Sequence, residues 1–178
     1  MSIDIKINKT IVLIGMMGCG KSHVGKILAE DLGIEFFDTD SLVEQDQGKT
    51  ISEIFENQGE AFFRALETDK LREVITNNAC VVSTGGGIVT TPENLEMIRQ
   101  NTISIWIKSS VDTILKRLDG DTSRPLLKND DPKKTLQHLL NSREALYSTA
   151  DICIDNEGNI EPVIEEIEQE LNKYNEAI

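Results

Sequence analysis

The residues best suited to do chemistry form the stretch GMMGCGKS at 15–22. Its three glycines permit backbone conformations that other residues avoid, so that successive N–H groups can turn toward an anion. Lys21 and Ser22 end the stretch at the spacing of a phosphate-binding loop, in which the lysine reaches the β- and γ-phosphates and the serine ligates Mg²⁺. The motif therefore predicts a nucleotide site. The alternative is a glycine-rich turn without a ligand.

Two carboxylates, Asp38 and Asp40, follow a short apolar segment at 34–37 that is predicted to be a strand. Side chains two residues apart at a strand end point the same way, and in open α/β sheets that end faces the ligand crevice. We therefore expect both aspartates to face Mg²⁺ and a substrate. The alternative is that an aspartate only caps the next helix, predicted at 41–47.

Arginines and glycines supply further candidates. The net charge is −13, so the six arginines stand out as possible anion ligands. Arg64 and Glu67 lie three residues apart in a predicted helix and could pair on one face, although a plain surface ion pair is the alternative. Three consecutive glycines at 85–87 suggest that another group closely approaches the backbone there. A flexible hinge would also explain them.

The elements that must position these residues alternate between strand and helix. Apolar runs predict strands at 11–14, 34–37, 80–83, 103–107 and 151–155. Helical patterns occupy 22–32, 41–47, 51–56, 59–77, 92–100, 111–118, 132–147 and the chain from about 160. This alternation predicts an α/β fold, a three-layer α/β/α sandwich around a five-stranded parallel sheet. The polar run at 119–125 interrupts the pattern and is predicted to be a mobile loop.

Length and composition restrict the class of protein. A chain of 178 residues fits one domain, at 1–178. The charge of −13 disfavours nucleic acid as a main partner. Three widely separated cysteines argue against a disulfide framework or a zinc site and favour a reduced, cytoplasmic compartment. The sequence shows neither an export signal nor an apolar run long enough to span a membrane.

Taken together, these motifs resemble the shikimate kinase family. The matching stretches are the phosphate loop at 15–22, FDTD at 37–40, GEAFFRALE at 59–67, STGGG at 83–87, SRPLL at 123–127 and SREALYSTAD at 142–151. The phosphate loop alone is widespread, but the whole set in this order is specific. The resemblance implies a P-loop kinase fold with sheet order 2-3-1-4-5, a core, a substrate-binding region at about 38–67 and a mobile lid at about 118–129.

The resemblance also implies an activity. Members of the family transfer the γ-phosphate of ATP, with Mg²⁺, to the 3-hydroxyl of shikimate, in chorismate and aromatic amino acid biosynthesis. The implied partners of this chain are therefore shikimate and ATP, and we expect a monomer.

The same resemblance assigns roles to individual residues. The implied catalytic residues are Lys21, Asp40 and Arg124. The implied nucleotide-binding residues are Gly18, Cys19, Gly20, Lys21, Ser22, His23, Arg117 and Arg124. The implied shikimate-binding residues are Asp40, Arg64, Gly85, Gly86, Gly87 and Arg143. Ser22 and, through water, Asp38 are the implied Mg²⁺ ligands. In these roles Arg64 and Arg143 hold the shikimate carboxylate, Arg117 stacks on adenine and Arg124 closes on the transferred phosphate.

Two residues depart from the family pattern. His23 stands where the family usually has a threonine that touches the α-phosphate, and Ala145 stands where proline is common. The sequence also leaves two other functions open. Another small-molecule P-loop kinase, for gluconate or a nucleoside monophosphate, would share the phosphate loop. A binding paralogue without catalytic activity would keep the fold, but the presence of Lys21, Asp40 and Arg124 disfavours it.

Overall fold

The computed structural model describes residues 8–76, 78–119 and 131–176. Its strands are β1 (Thr10–Ile14), β2 (Glu35–Asp38), β3 (Cys80–Ser83), β4 (Thr102–Lys108) and β5 (Ile152–Asp155). Its helices are α1 (Lys21–Leu32), α2 (Thr39–Gln47), α3 (Ile51–Ile75), α4 (Pro92–Asn101), α5 (Val111–Leu118), α6 (Pro132–Tyr147) and α7 (Ile160–Glu176). A short 3-10 turn (Ile88–Thr90), which we did not predict, precedes α4. The predicted alternation is confirmed.

The five strands form one parallel sheet in the order β2-β3-β1-β4-β5. This is the order that the resemblance implies. The central strand β1 pairs with β3 on one side and with β4 on the other. After β1 the chain forms β2 and β3 on one side of this strand and then β4 and β5 on the other side. The loop that follows β1 therefore lies at the topological switch point of the sheet. Open α/β sheets bind their ligands at that point.

Both faces of the sheet are covered, which explains why its central strands are largely apolar. Ile11 and Leu13 of β1 pack on the side of α1 and α7. Val12 and Ile14, which alternate with them, pack on the side of α3, α4, α5 and α6. Alternation within one strand therefore supplies both cores of the three-layer sandwich.

A separate small core joins α2 to α3. It consists of Val43, Ile54 and Phe63, and the rings of Phe55 and Phe63 lie 4.9 Å apart. The helix α3 is interrupted at Gly59, where φ is 83° and ψ is 170°. The prediction of two helices meeting near this glycine is therefore correct. This small core positions the first turns after the break, which carry the predicted arginine of the site.

One sequence argument is wrong. The strand β2 ends at Asp38, and α2 begins at Thr39, so Asp40 lies in the first turn of a helix and not at a strand end. Strand alternation therefore does not align the two aspartates. The capping alternative is correct for Asp38, whose Oδ1 accepts the N–H groups of Asp40 and Ser41 at 3.1 and 3.2 Å.

Two further predictions concern other parts of the chain. Most of the predicted lid, together with Arg124, lies outside the described residues. In the ranges that the structure covers, no helix combines the length and the apolar character that a membrane span requires.

Candidate functional site

The phosphate loop follows β1 and leads directly into α1. Gly15, Gly18 and Gly20 have φ values of 145°, 74° and 96°, which are unfavourable for residues with a Cβ atom. The predicted need for glycine is thus confirmed at these positions. The loop presents its backbone at the N-terminus of α1, where unpaired N–H groups and the helix dipole favour an anion.

The Lys21 ammonium lies within this loop. Its Nζ donates hydrogen bonds to the carbonyl oxygens of Gly15 and Met16, both at 2.8 Å. An incoming phosphate would compete with these carbonyls for the ammonium. The thiol of Cys19 lies 3.6 Å from Nζ and is completely buried. The thiol is therefore not accessible to a nucleotide in the loop, and Cys19, although predicted as a nucleotide-binding residue, does not line the cavity described below.

The two predicted magnesium ligands are neighbours. Ser22 Oγ donates to Asp38 Oδ2 at 2.5 Å and lies 3.1 Å from Ser83 Oγ. Hydroxyl and carboxylate oxygens are the ligands that Mg²⁺ takes from proteins, beside phosphate and water oxygens. The residues therefore fit a Mg²⁺ ion bound together with nucleotide phosphates. Sequence reasoning missed Ser83, although it ends β3 and pairs in register with Asp38.

An arginine and a glutamate of α3 form an ion pair that is largely buried. Arg64 NH1 lies 2.5 Å from Glu67 Oε2, and Arg64 NH2 lies 3.0 Å from Glu60 Oε1. The Glu67 side chain has no exposed surface, so the alternative of a plain surface pair is wrong. Burial raises the pKa of Glu67 to about 7, although the positive charge of Arg64 lowers it.

The three consecutive glycines provide space. A Cβ atom at Gly85 would lie 2.3 Å from Glu67 Oε1 and 2.9 Å from Asp40 Oδ1. A Cβ atom at Gly87 would lie within 2.5 Å of the Arg64 guanidinium. None of the three glycines has a left-handed φ, so close approach and not backbone conformation requires them. The predicted close approach is confirmed, and the groups that approach are side chains of the site itself.

The helix α6 is anchored to this glycine loop. Arg143 NH1 donates to the Gly86 carbonyl at 3.2 Å, and the hydroxyl of Tyr147 donates to the same oxygen. Tyr147 is fully buried against Trp106, and burial raises its pKa to about 12. Sequence analysis missed Tyr147, although it lies four residues after Arg143 and so on the same helical face.

These elements enclose a cavity of about 510 Å³. The predicted site residues that line it are Gly18, Gly20, Lys21, Ser22, His23, Asp38, Asp40, Arg64, Gly85, Gly86, Gly87 and Arg143. Ile51, Phe55 and Phe63 add an apolar wall, and Glu44 and Glu67 add two carboxylates that were not predicted to belong to the site. The cavity therefore connects the phosphate loop to a group of arginine and carboxylate side chains.

Arg117 lies beside the phosphate loop and outside the lining of this cavity. Its NH2 donates to the Asn156 carbonyl at 3.0 Å, and its NH1 donates to Ser109 Oγ at 3.1 Å. Asn156 also supports the loop, since its Nδ2 donates to the Cys19 carbonyl at 2.8 Å. We missed Asn156, although it directly follows β5 at the ligand-binding edge of the sheet.

Comparisons with known proteins agree with this arrangement. The family model described as shikimate kinase matches residues 17–172. A curated shikimate kinase from Trichormus variabilis is 46% identical over 161 residues, which cover 89% of this chain and 88% of the relative. Another from Cereibacter sphaeroides is 38% identical over 167 residues, which cover 93% of this chain and 84% of the relative.

Solved structures give the same result. The chain is similar to the shikimate kinase from Acinetobacter baumannii in complex with shikimate, with a TM-score of 0.91, 38% identity and 94% of each chain covered. A gluconokinase from Sinorhizobium meliloti matches with a TM-score of 0.63 and 16% identity, over 97% of this chain and 96% of the other. The second likeness shows a shared fold only.

Proposed function

The chain belongs to the shikimate kinase family of ATP-dependent kinases, and we propose that its cavity carries out the transfer of the ATP γ-phosphate to the 3-hydroxyl of shikimate. One observation carries the assignment of this reaction to the cavity. A single space joins the phosphate loop to Asp40 and to two arginines, Arg64 and Arg143. A donor phosphate and an anionic, hydroxylated acceptor can therefore occupy it together. The product would enter chorismate and aromatic amino acid biosynthesis.

The acceptor end of the cavity is the part lined by Asp40, Arg64, Arg143 and residues 85–87. It suits shikimate, which carries a carboxylate and several ring hydroxyls. Arg64 and Arg143 offer planar guanidinium groups that bind a carboxylate with paired hydrogen bonds. Asp40 accepts hydrogen bonds from the hydroxyls, and the backbone of residues 85–87 lines the ring. Phe55 and Phe63 supply an apolar wall for its carbon atoms. These contacts would fix which hydroxyl faces the γ-phosphate.

The donor end supplies positive charge and hydrogen-bond donors. Phosphoryl transfer requires mainly positioning and charge neutralisation, which Lys21 and the loop N–H groups provide here. His23 lines the same end. Arg117, which lies beside the loop, would contact the base of the nucleotide. Mg²⁺ held by Ser22 and, through water, by Asp38 would neutralise charge on the phosphates. Asp40 accepts the proton that leaves the 3-hydroxyl.

A turnover assay with several acceptors tests this function. ADP release from Mg-ATP should be fast with shikimate and near background with gluconate, quinate and AMP. Gluconate is a demanding competitor because a gluconokinase shares the fold. If gluconate or AMP is turned over faster than shikimate, the proposed substrate is wrong. If none of the four acceptors causes ADP release, a protein without kinase activity is favoured.

We also propose an oligomeric state, a location and a domain organisation for the chain. The chain would act as a monomer in the cytoplasm and as one domain, with its substrate-binding region at about 38–67. Its net charge of −13 supports the absence of a nucleic acid partner. Light scattering after size exclusion should give a mass near the 19.8 kDa of one chain.

Lysine substitutions should separate the binding of the two substrates. Arg64→Lys and Arg143→Lys keep a positive charge but lose the planar fork, so each should raise the dissociation constant of shikimate roughly 10- to 100-fold. The affinity for Mg-ATP should change little. Arg72→Lys is the matched control, since Arg72 forms exposed ion pairs with Asp69 and Glu93. Unchanged shikimate affinity in both site variants would refute the carboxylate clamp.

A single methyl group at Gly87 should disturb the same clamp. In Gly87→Ala the new Cβ would displace the Arg64 guanidinium, which is the end of a flexible side chain, so folding should tolerate the change. We expect the KM for shikimate to rise about tenfold or more with little loss of thermal stability. Gly158→Ala serves as control because nothing lies within 4 Å of its Cβ position. A normal shikimate KM in Gly87→Ala would show that Arg64 need not occupy this position.

A further inference from the structure

Glu67 is a carboxylate in the acceptor end of the cavity with only one oxygen satisfied. Its Oε2 accepts a hydrogen bond from Arg64 NH1. Its Oε1 has no hydrogen-bond partner among the residues that the structure describes. The side chain has no exposed surface, yet it lines the cavity beside Gly85. A buried carboxylate oxygen without a donor is costly in its charged form, and a proton on that oxygen removes the cost.

Charged groups from three helices surround Glu67. Arg64 of α3 and Arg143 of α6 favour its charged form, whereas burial and Asp40 of α2 favour its neutral form. Burial is the largest influence and raises the pKa of Glu67 to about 7. In the empty enzyme both forms therefore exist near neutral pH. Small changes in the surrounding charge will shift the balance between them.

We propose that binding of shikimate is coupled to the uptake of one proton by Glu67. The inference rests on the proposed function for its ligand. A carboxylate bound by Arg64 and Arg143 would draw their positive charge away from Glu67 and add a negative charge nearby. The bound ring would also expel water from the cavity. All three changes favour the neutral form of a buried carboxyl group. The proton comes from the solvent and is added to Oε1, while Oε2 keeps its bond with Arg64.

The coupling predicts an unusual pH dependence for an anionic substrate. Below about pH 7 Glu67 is already protonated in the free enzyme, so the shikimate affinity should be flat. At higher pH the proton must be taken up on binding, so the dissociation constant should rise by up to about tenfold for each pH unit. Neither the guanidinium groups nor the shikimate carboxylate changes charge between pH 7 and 9, so they would give a flat profile.

Calorimetry measures this proton directly. Shikimate is titrated into the full chain at pH 7.5 and 8.5 in buffers that differ in ionisation enthalpy, and the slope of the observed heat against that enthalpy gives the protons taken up. We expect a fraction of a proton at pH 7.5, rising to about one at pH 8.5. A binding heat that does not depend on the buffer at pH 8.5 would overturn the proposal.

Two variants assign the proton to its residue. Glu67→Gln resembles the protonated acid in size and charge and keeps an oxygen for Arg64. It should bind shikimate without proton uptake and with an affinity that is constant from pH 7 to 9. Glu60 supplies the other carboxylate bound to Arg64, and its side chain is 54% exposed. Glu60→Gln should therefore keep the proton uptake. Uptake retained in Glu67→Gln, or lost in Glu60→Gln, would assign the proton elsewhere.

Failure of this inference differs from failure of the proposed function. An enzyme that binds and phosphorylates shikimate with no buffer-dependent heat keeps its function and refutes only the role of Glu67. A protein that neither binds nor phosphorylates shikimate refutes the function itself. If Glu67→Gln does not fold, the titrations of the unmodified protein still decide whether a proton is taken up.

Discussion

Replacing Arg124 by alanine is expected to lower kcat about a thousandfold or more, as for other arginines that neutralise charge in phosphoryl transfer. The dissociation constant of shikimate should stay nearly unchanged, because Arg64 and Arg143 supply the proposed contacts with its carboxylate. Arg124 lies outside the described residues, so the prediction rests on the SRPLL resemblance and on the charges found elsewhere in the cavity.

The described part of the cavity offers few positively charged side chains to the transferred phosphoryl group. Among the described residues, the lysine and arginine side chains that line the cavity are Lys21, Arg64 and Arg143. Both arginines belong to the acceptor end, where they contact Glu67 and the glycine loop. Among the described residues, Lys21 is thus the single lysine or arginine that lines the donor end of the cavity, since Arg117 lies outside the lining. In the transition state, charge is spread over three phosphoryl oxygens, so a further cation should contribute strongly.

Steady-state kinetics with a neighbouring control tests this role. Lys128 lies four residues after Arg124 and carries the same charge. Lys128→Ala should keep kcat within a few-fold of the parent enzyme, which separates a specific contact from the general effect of removing a positive charge. Retention of most of kcat in Arg124→Ala would exclude Arg124 from the mechanism. An equal loss in both variants would point to the charge of the segment and not to Arg124.

Local patterns in the sequence predict the fold well because local forces dominate its elements. Apolar runs of the central strands reflect burial on both faces of the sheet, and Gly59 marks the break in α3 through its positive φ. The phosphate loop is predictable for a similar reason. Its function depends on backbone conformations that only glycine adopts easily, so Gly18 and Gly20 are visible in the sequence without any knowledge of tertiary contacts.

The acceptor end is less predictable because contacts between distant elements create it. The sequence shows that Glu67 can pair with Arg64, but its burial depends on the approach of Gly85 from another element. The contacts of Asn156 with the phosphate loop and of Tyr147 with Gly86 join residues far apart in the chain. Periodicity and residue spacing within one segment cannot predict contacts between residues so far apart in the chain.

Asp40 lines the cavity, although the argument that placed it there was incorrect. Strand alternation was expected to point Asp38 and Asp40 into the cavity together. In the structure Asp38 caps α2, and the helix that it starts carries Asp40 to the cavity wall. The pattern of residue types thus located the site, whereas the backbone geometry inferred from it was wrong.

The proposed role of Asp40 in proton transfer leads to the second large effect. Asp40→Asn keeps the size of the side chain and an oxygen that accepts hydrogen bonds, but an amide does not take up the proton that leaves the hydroxyl. General-base catalysis contributes about 10² to 10⁴ in rate, and kcat should fall by that factor with Mg-ATP binding unchanged. Saturation kinetics with each substrate would show the loss.

A second aspartate of α2 provides the control. Asp46 lies on the same helix, is half exposed and pairs with Lys70 on the surface, so Asp46→Asn should leave both kcat and KM nearly unchanged. If Asp40 only positions the hydroxyl, Asp40→Asn would lose much less activity and the loss would appear mainly in the KM for shikimate. The shikimate dissociation constant then distinguishes the two roles. Loss of a base would lower kcat with near-normal shikimate binding, whereas loss of positioning would weaken shikimate binding with a much smaller effect on kcat.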